Sequence, residues 1–165
     1  MIYENLIKTN VAAFKAEVIR YCRSLGINPD DLMVVMYAES RINEKARNPK
    51  TRATGLIQFM PSTAIGLGTT VEKLYAMSNV EQLYYVYKYF QPYAGKIRNV
   101  YDLYKIVFFP AMIGKPATWV LQTSTLSAEL IARQNAIIDI NKNGSITVAE
   151  FEAYVSTYLK KKLVL

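Results

Sequence analysis

Two blocks of sequence, Glu39-Ser40-Arg41-Ile42-Asn43 and Gly55-Leu56-Ile57-Gln58-Phe59-Met60-Pro61-Ser62-Thr63-Ala64, govern how the rest of the chain is read. Upstream of the first, Leu32, Val35 or Met36, and Glu39 fall at helical spacing, so Glu39 ends the buried stripe of a helix. That helix opens at Asn28-Pro29-Asp30-Asp31, which supplies a cap, a first-turn proline and acids at the positive helix end, and it runs to about Ser40. Its middle, 32–38, is apolar nearly all round and belongs in a core. Between the blocks, 41–52 is polar, with Asn43, Asn48 and Pro49, and reads as a loop. In the second block Leu56, Gln58 and Met60 alternate with Ile57 and Phe59, and a period of two predicts that the first three share one side. Pro61 and Ser62 then open a short helix closed by Gly66 and Gly68.

A carboxylate where Glu39 lies is partly desolvated, and the negative end of the helix also disfavours its ionised form. Both effects raise the pKa, and an acid still protonated near neutral pH is what glycosidic cleavage needs. The same position also suits a helix-terminal Glu that is solvated or paired with Arg41. The chain has no His, which removes Ser-His triads, Cys-His dyads and His-ligated zinc. Acid–base chemistry near neutral pH falls to a carboxylate, Lys, Tyr or Cys22.

Working outward, Val11, Phe14, Val18, Ile19 and Cys22 give a helix over 11–25 that Gly26 stops. A longer helix is predicted from about Val71 to Phe90, and another from about Val100 to before Pro110. The C-terminal part reads as a helix from about Ser127 to Ile138, a polar loop, and a helix from about Val148 to Lys162. The class is therefore mostly α, divided into a main domain over 1–120 and a helix-loop-helix appendage over 121–165. The 165 residues, 52% apolar and 20% charged, can bury a core without staples, and the single Cys22 forms no internal disulfide. No apolar run approaches the roughly 18 residues of a membrane span. The first residues carry no basic region followed by an apolar one, so the expectation is delivery to the wall by a non-Sec route. The net charge of +7 favours polyanionic partners.

Residues Asp139-Ile140-Asn141-Lys142-Asn143-Gly144-Ser145-Ile146-Thr147-Val148-Ala149-Glu150 fit a twelve-residue EF-hand calcium loop. Asp139, Asn141 and Asn143 offer side-chain oxygens, Ser145 its carbonyl, Thr147 a direct or water-mediated contact, and Glu150 a bidentate carboxylate. Gly144 permits the sharp turn, and Ile146 belongs beneath the loop. The competing reading is a capped polar turn. With two formal charges and one hand, the expected ion is a structural Ca2+ of modest affinity, not a sensor and not needed for the chemistry.

The two blocks with their spacing resemble the paired motifs of the soluble lytic transglycosylase and goose-type lysozyme superfamily over about residues 10 to 115. The resemblance implies a lysozyme-like domain that cleaves the β-1,4 bond between N-acetylmuramic acid and N-acetylglucosamine in peptidoglycan. It makes Glu39 the general acid and places Gln58 and Met60 along the scissile sugar; without it, Gln58 reads equally as a cap and Met60 as core filler. Ser40 is carried over with the first block. Asn48 stands where many relatives have a serine that holds substrate or carboxylate. The third block of the family, with its tyrosine and asparagine, here reads Val107-Phe108-Phe109-Pro110-Ala111, so Phe109 takes the substrate-side position without a hydroxyl. This variant resembles phage-encoded members and implies a virion, tail or lysis protein.

In a transglycosylase the glutamate that gave its proton takes one back from the muramic acid C6 hydroxyl, leaving a 1,6-anhydro end. A hydrolase usually needs a second carboxylate for water, and between Glu39 and Met60 only Glu44 is available, although Glu72, Glu81 or Asp102 can fold into a cleft. The non-hydrolytic route is therefore expected, with a hydrolytic muramidase and an inactive calcium-stabilised wall-binding or tail component as the alternatives. Nucleic-acid binding rests on charge and scattered tyrosines without a motif, and is not expected. Tyrosines crowd 75–104, where sugar stacking and ordinary helix packing compete as explanations.

Overall fold

The computed structural model describes residues 1–163, which are mostly helical; the only β pairing among them is isolated bridges. None of the described helices is long and apolar enough to cross a membrane. The chain divides into two compact units, Met1–Leu103 and Tyr104–Leu165.

The first unit is built on α1 (Val11–Leu25), α2 (Pro29–Ser40) and α5 (Asn79–Phe90), with α1 packed along α5 and against α2. Phe14, Val18, Tyr21, Cys22 and Leu25 form the buried face of α1, and Tyr21 stacks on Tyr87 of α5 at 4.8 Å between ring centres. Side-chain amides join the helix starts: Asn10 donates to Asn79 Oδ1 at 3.1 Å, and Asn79 donates to the Thr9 carbonyl at 2.7 Å. Burial, and then the charge of Asp31, pushes the Cys22 thiol up to about 12, which makes it an inert core residue. In α2, Asn28 Oδ1 accepts from the Asp30 amide at 2.9 Å and Pro29 occupies the first turn, as its sequence predicts. Leu32, Met33, Val34, Val35 and Met36 are all buried, so this helix runs through the core.

Where one helix over 71–90 is expected, there are two, α4 (Val71–Ala76) and α5, after the short α3 (Pro61–Gly66). Ser78 starts α5 with a capping box: its hydroxyl accepts from the Glu81 amide, and the Glu81 carboxylate accepts from the Ser78 amide at 2.7 Å. Met77 stays extended, and the chain turns there because four polar groups find partners in one local motif.

The boundary between the units falls within α6 (Val100–Phe108). In the second unit, Phe108 stacks on Phe151 of α8 (Val148–Leu163) at 5.0 Å, and the buried Lys105 pairs with Glu152. The helix expected over 127–138 is shorter, α7 (Ala128–Gln134), because the Asn135 side chain turns back to bond the Ile131 carbonyl at 2.9 Å and ends it. Its buried Ile131 and Ala132 join Leu121, Ile146, Phe151 and Val155 in the core of this unit.

Candidate functional site

Glu39 lies half-buried in the last turn of α2, with the buried Ser40 next to it. The helix ends through Arg41 at φ 60°, followed by Ile42 at φ 57°, and the Ile42 amide reaches back to the Met36 carbonyl at 3.3 Å. Two successive non-glycine residues in the left-handed region are strained. The same region recurs at Arg52 and Gln58, so four of the seven such non-glycine residues among those described fall within 41–58. Strain concentrated this way marks a segment that its surroundings over-determine.

Those surroundings centre on Leu56. The Ser40 hydroxyl bridges the Met36 and Leu56 carbonyls at 3.0 and 2.9 Å and accepts from the Asn43 amide at 3.2 Å. From α5, the fully buried Gln82 accepts from the Leu56 amide at 3.0 Å and donates to the carbonyls of Glu44 and Leu74 at 2.8 and 2.7 Å. Gly55 leaves room for it, since a Cβ there would lie 2.4 Å from Gln82 Oε1. Ser40 thus ties the end of the Glu39 helix to the second motif block, and its hydroxyl is engaged with backbone groups in the interior. Gln82 was not anticipated from the sequence. A polar residue on the core-facing stripe of an amphipathic helix is the only signal for it, and that signal names no partner.

The second block is a tight turn rather than an alternating strand. Thr54 and Phe59 exchange backbone bonds of 3.0 and 2.9 Å around the four residues 55–58. Leu56, Ile57 and Phe59 are all buried, Gln58 is half-buried, and Met60 is 44% exposed, so the period-two expectation of one shared side fails. A closed turn rotates successive side chains by the turn geometry, not by the pleat. The Gln58 amide donates to the carbonyls of Ala46 and Gly55 at 3.2 and 3.0 Å. Asn48 is exposed and shapes the loop, its Oδ1 accepting from the amides of Lys50 and Thr51 at 2.9 and 3.1 Å.

Tyr89 of α5 meets Phe59 edge-on at 6.2 Å between ring centres. Burial first, and then the charges of Tyr93 and Glu39, push its phenol up to about 12. A neutral hydroxyl is thereby held within the field of Glu39. The sequence shows Tyr89 only as one of a crowd.

Phe109 belongs to the second unit, half-buried with its ring 6.3 Å from Trp119. In the 139–150 loop of that unit, Asp139 accepts from the Asn143 and Gly144 amides at 3.1 and 3.0 Å, and Asn141 and Asn143 accept from the Asn143 and Ser145 amides. Glu150 closes a capping box with Thr147, and its other oxygen reaches the Asn141 amide across the loop at 3.4 Å. Both Asp139 oxygens and Glu150 Oε1 accept one bond each and keep a second lone pair, whereas Glu150 Oε2 accepts from both the amide and the hydroxyl of Thr147, so three carboxylate oxygens are left that can meet a hard cation. No cluster of three His, Cys, Asp or Glu occurs among the described residues, which leaves amides and carbonyls as the other donors. Ile146 is fully buried, and the loop pairs within the chain: Leu121 donates to the Ile146 carbonyl at 2.8 Å and Val148 to the Trp119 carbonyl at 3.0 Å.

The model of the transglycosylase SLT domain matches residues 18–105, just over half of the chain and both motif blocks. The chain belongs to that family. Its members are lytic transglycosylases acting on peptidoglycan, so this protein is an enzyme of that class with peptidoglycan as substrate. The helical architecture agrees with a lysozyme-like SLT domain. No match was found among curated proteins or solved structures.

Two outcomes follow from this geometry. Replacing Gln82 by Leu strands the Leu56 amide and the Glu44 and Leu74 carbonyls, and urea denaturation should show a loss of about 2–4 kcal/mol. The raised Tyr89 pKa stabilises the fold fully below about pH 10 and is lost as pH rises toward about 12. Alkaline unfolding of Tyr89→Phe, followed by circular dichroism, should therefore lack part of the decline of the unsubstituted protein over that window.

Proposed function

We propose that Glu39 is the acid–base residue of a non-hydrolytic cleavage between N-acetylmuramic acid and N-acetylglucosamine. The observation that carries this reading is the Ser40–Leu56–Gln82 clamp, which seats the Glu39 helix end beside the turn that bears Gln58 and Met60. Protonated Glu39 gives its proton to the glycosidic oxygen as the bond to the muramic acid anomeric carbon breaks. The resulting carboxylate takes the proton of the C6 hydroxyl while that oxygen bonds to the same carbon. Atoms balance without water, and the products are a free 4-hydroxyl and a 1,6-anhydro end.

Gln58, its amide nitrogen committed to two carbonyls, presents its carbonyl oxygen to a sugar hydroxyl, and exposed Met60 gives the ring an apolar edge. Tyr89 supplies the phenol that the Phe108-Phe109-Pro110 block lacks. The resemblance of that block to phage-encoded members supports a virion or tail setting, which mass spectrometry of purified particles would test.

Ca2+ in the 139–150 loop completes the proposal, held by Asp139, Asn141, Asn143, Ser145, Thr147 and Glu150. What supports it is the oxygen donor set and the reach of Glu150 to Asn141, which a capping box alone does not require. When bound, the ion supplies charge neutralisation that ties the start of α8 to the loop. The pairing with 117–121 occupies the edge that a second hand would take, in keeping with a structural role.

Purified peptidoglycan digested with this protein should release fragments ending in 1,6-anhydromuramic acid, and Glu39→Gln should lower their yield at least about 100-fold, the scale of general acid catalysis. Reducing ends would make the enzyme a hydrolase, and no products would move the protein to the wall-binding reading. Chelation by EDTA should lower the melting temperature while leaving the initial rate below that temperature nearly unchanged. An unaltered melting temperature would overturn the calcium assignment.

A further inference from the structure

Positive charge borders the turn that carries Gln58. Loop 41–52 holds Arg41, Lys45, Arg47, Lys50 and Arg52, all exposed, against a single carboxylate of its own, Glu44. Four of the five, Arg41, Lys45, Arg47 and Arg52, are held by contacts before any ligand arrives. Arg41 lies over the Tyr37 ring at 4.5 Å, and Lys45 donates to the carbonyls of Tyr75 and Met77 at 2.6 and 2.7 Å. Arg47 and Arg52 converge on the one carboxylate of Glu72, at 3.2 Å for Arg47. Lys45 and Arg47 also stand 5.7 and 5.6 Å from the centre of the Tyr75 ring.

The five cations outnumber Glu44, Glu72 and the Glu81 carboxylate in the field of Lys45, and the side chains held by contacts lose little freedom on taking up an anion. Guanidinium groups receive carboxylates in a two-pronged geometry that lysines alone do not offer. Place narrows the choice of anion. The loop leaves α2 two residues after Glu39, and the Ala46 carbonyl that receives the Gln58 amide lies between Lys45 and Arg47 in sequence. An anion held here runs alongside the glycan. In peptidoglycan the anion tethered at that place is the peptide hanging from the muramic acid lactyl group, which bears free carboxylates. Nucleic acids share the sign but not the tether.

We propose that loop 41–52 is a subsite for the carboxylates of peptidoglycan stem peptides, giving the enzyme a preference for peptide-bearing strands. The proposal rests on the glycan lying along the Glu39 and Gln58 face, and its test keeps the two separable. Binding of the full chain carrying Glu39→Gln is measured by co-sedimentation with insoluble peptidoglycan freed of teichoic acid, either native or with its carboxylates converted to amides. Adding Arg47→Gln and Arg52→Gln should weaken binding to the native form about ten-fold, and amidation should do the same, as two exposed charge contacts allow. The two changes together should add little to either one.

Arg47→Lys with Arg52→Lys should restore part of the affinity, and the charge-matched Lys8→Gln with Arg23→Gln should change nothing. Equal binding of native and amidated material overturns the proposal. So does an equal loss in the control, or a loss seen only with teichoic acid retained or only with duplex DNA. Digestion by the chain with Glu39 intact runs alongside. Products without a binding difference overturn the subsite alone, whereas a binding difference without products overturns the Glu39 reading and upholds the subsite.

Discussion

The peptide groups of Leu56 need partners, and no neighbouring strand provides them. A buried turn with unpaired N–H and C=O groups costs free energy comparable to the hydrogen bonds it lacks. Here Ser40, from the end of one core helix, takes the carbonyl, and Gln82, from another, takes the amide. Each of these side chains also serves other backbone groups, so the arrangement is a network in which no member moves alone. The missing side chain of Gly55 is what lets Gln82 approach.

From this constraint the rest of the site follows. With Leu56 fixed, Gln58 is forced to φ 55° and Arg41 and Ile42 into the same left-handed region, and the fixed turn brings Phe59 against Tyr89. The family's chemistry needs one acid, a place for the sugar beside it and little else. On the role proposed for Glu39, the rigid backbone on both sides of it supplies the placement, which chemistry of this type converts into rate. Loop 41–52 grows out of the same clamp, through Asn43 on Ser40, the Glu44 carbonyl on Gln82 and the Ala46 carbonyl on Gln58. Its positive charge is thereby carried on a scaffold rather than on a free loop.

The second unit meets a different requirement. Pairing with a neighbouring loop is one way to satisfy the backbone of a loop such as 139–150. The segment 117–121 takes up the loop's backbone groups instead, from the Ala117 carbonyl to the Leu121 amide, while Ile146 fills the core beneath. The backbone of the 139–150 loop is therefore satisfied within its own unit, by the segment 117–121.

Much of the first unit was legible in the sequence because its signals are local. The cap and proline of α2, its apolar run, and the punctuation by Pro61 and Gly66 each act within a few residues, and each produced the element expected. Two errors were also local. Ser78 and Glu81 carried the capping signature that breaks 71–90, and Asn135 carried the side chain that ends α7 early. By itself the sequence determined the helical class, the position of Glu39 at a helix end and the family motifs. Only the tertiary structure decided that Ser40 and Gln82 meet at Leu56, that the second block is a turn, and that Tyr89 stands in the field of Glu39. The turn is closed by bonds between Thr54 and Phe59, but the other contacts join residues separated by 16 to 50 positions, and no periodicity or propensity encodes a partner at that distance.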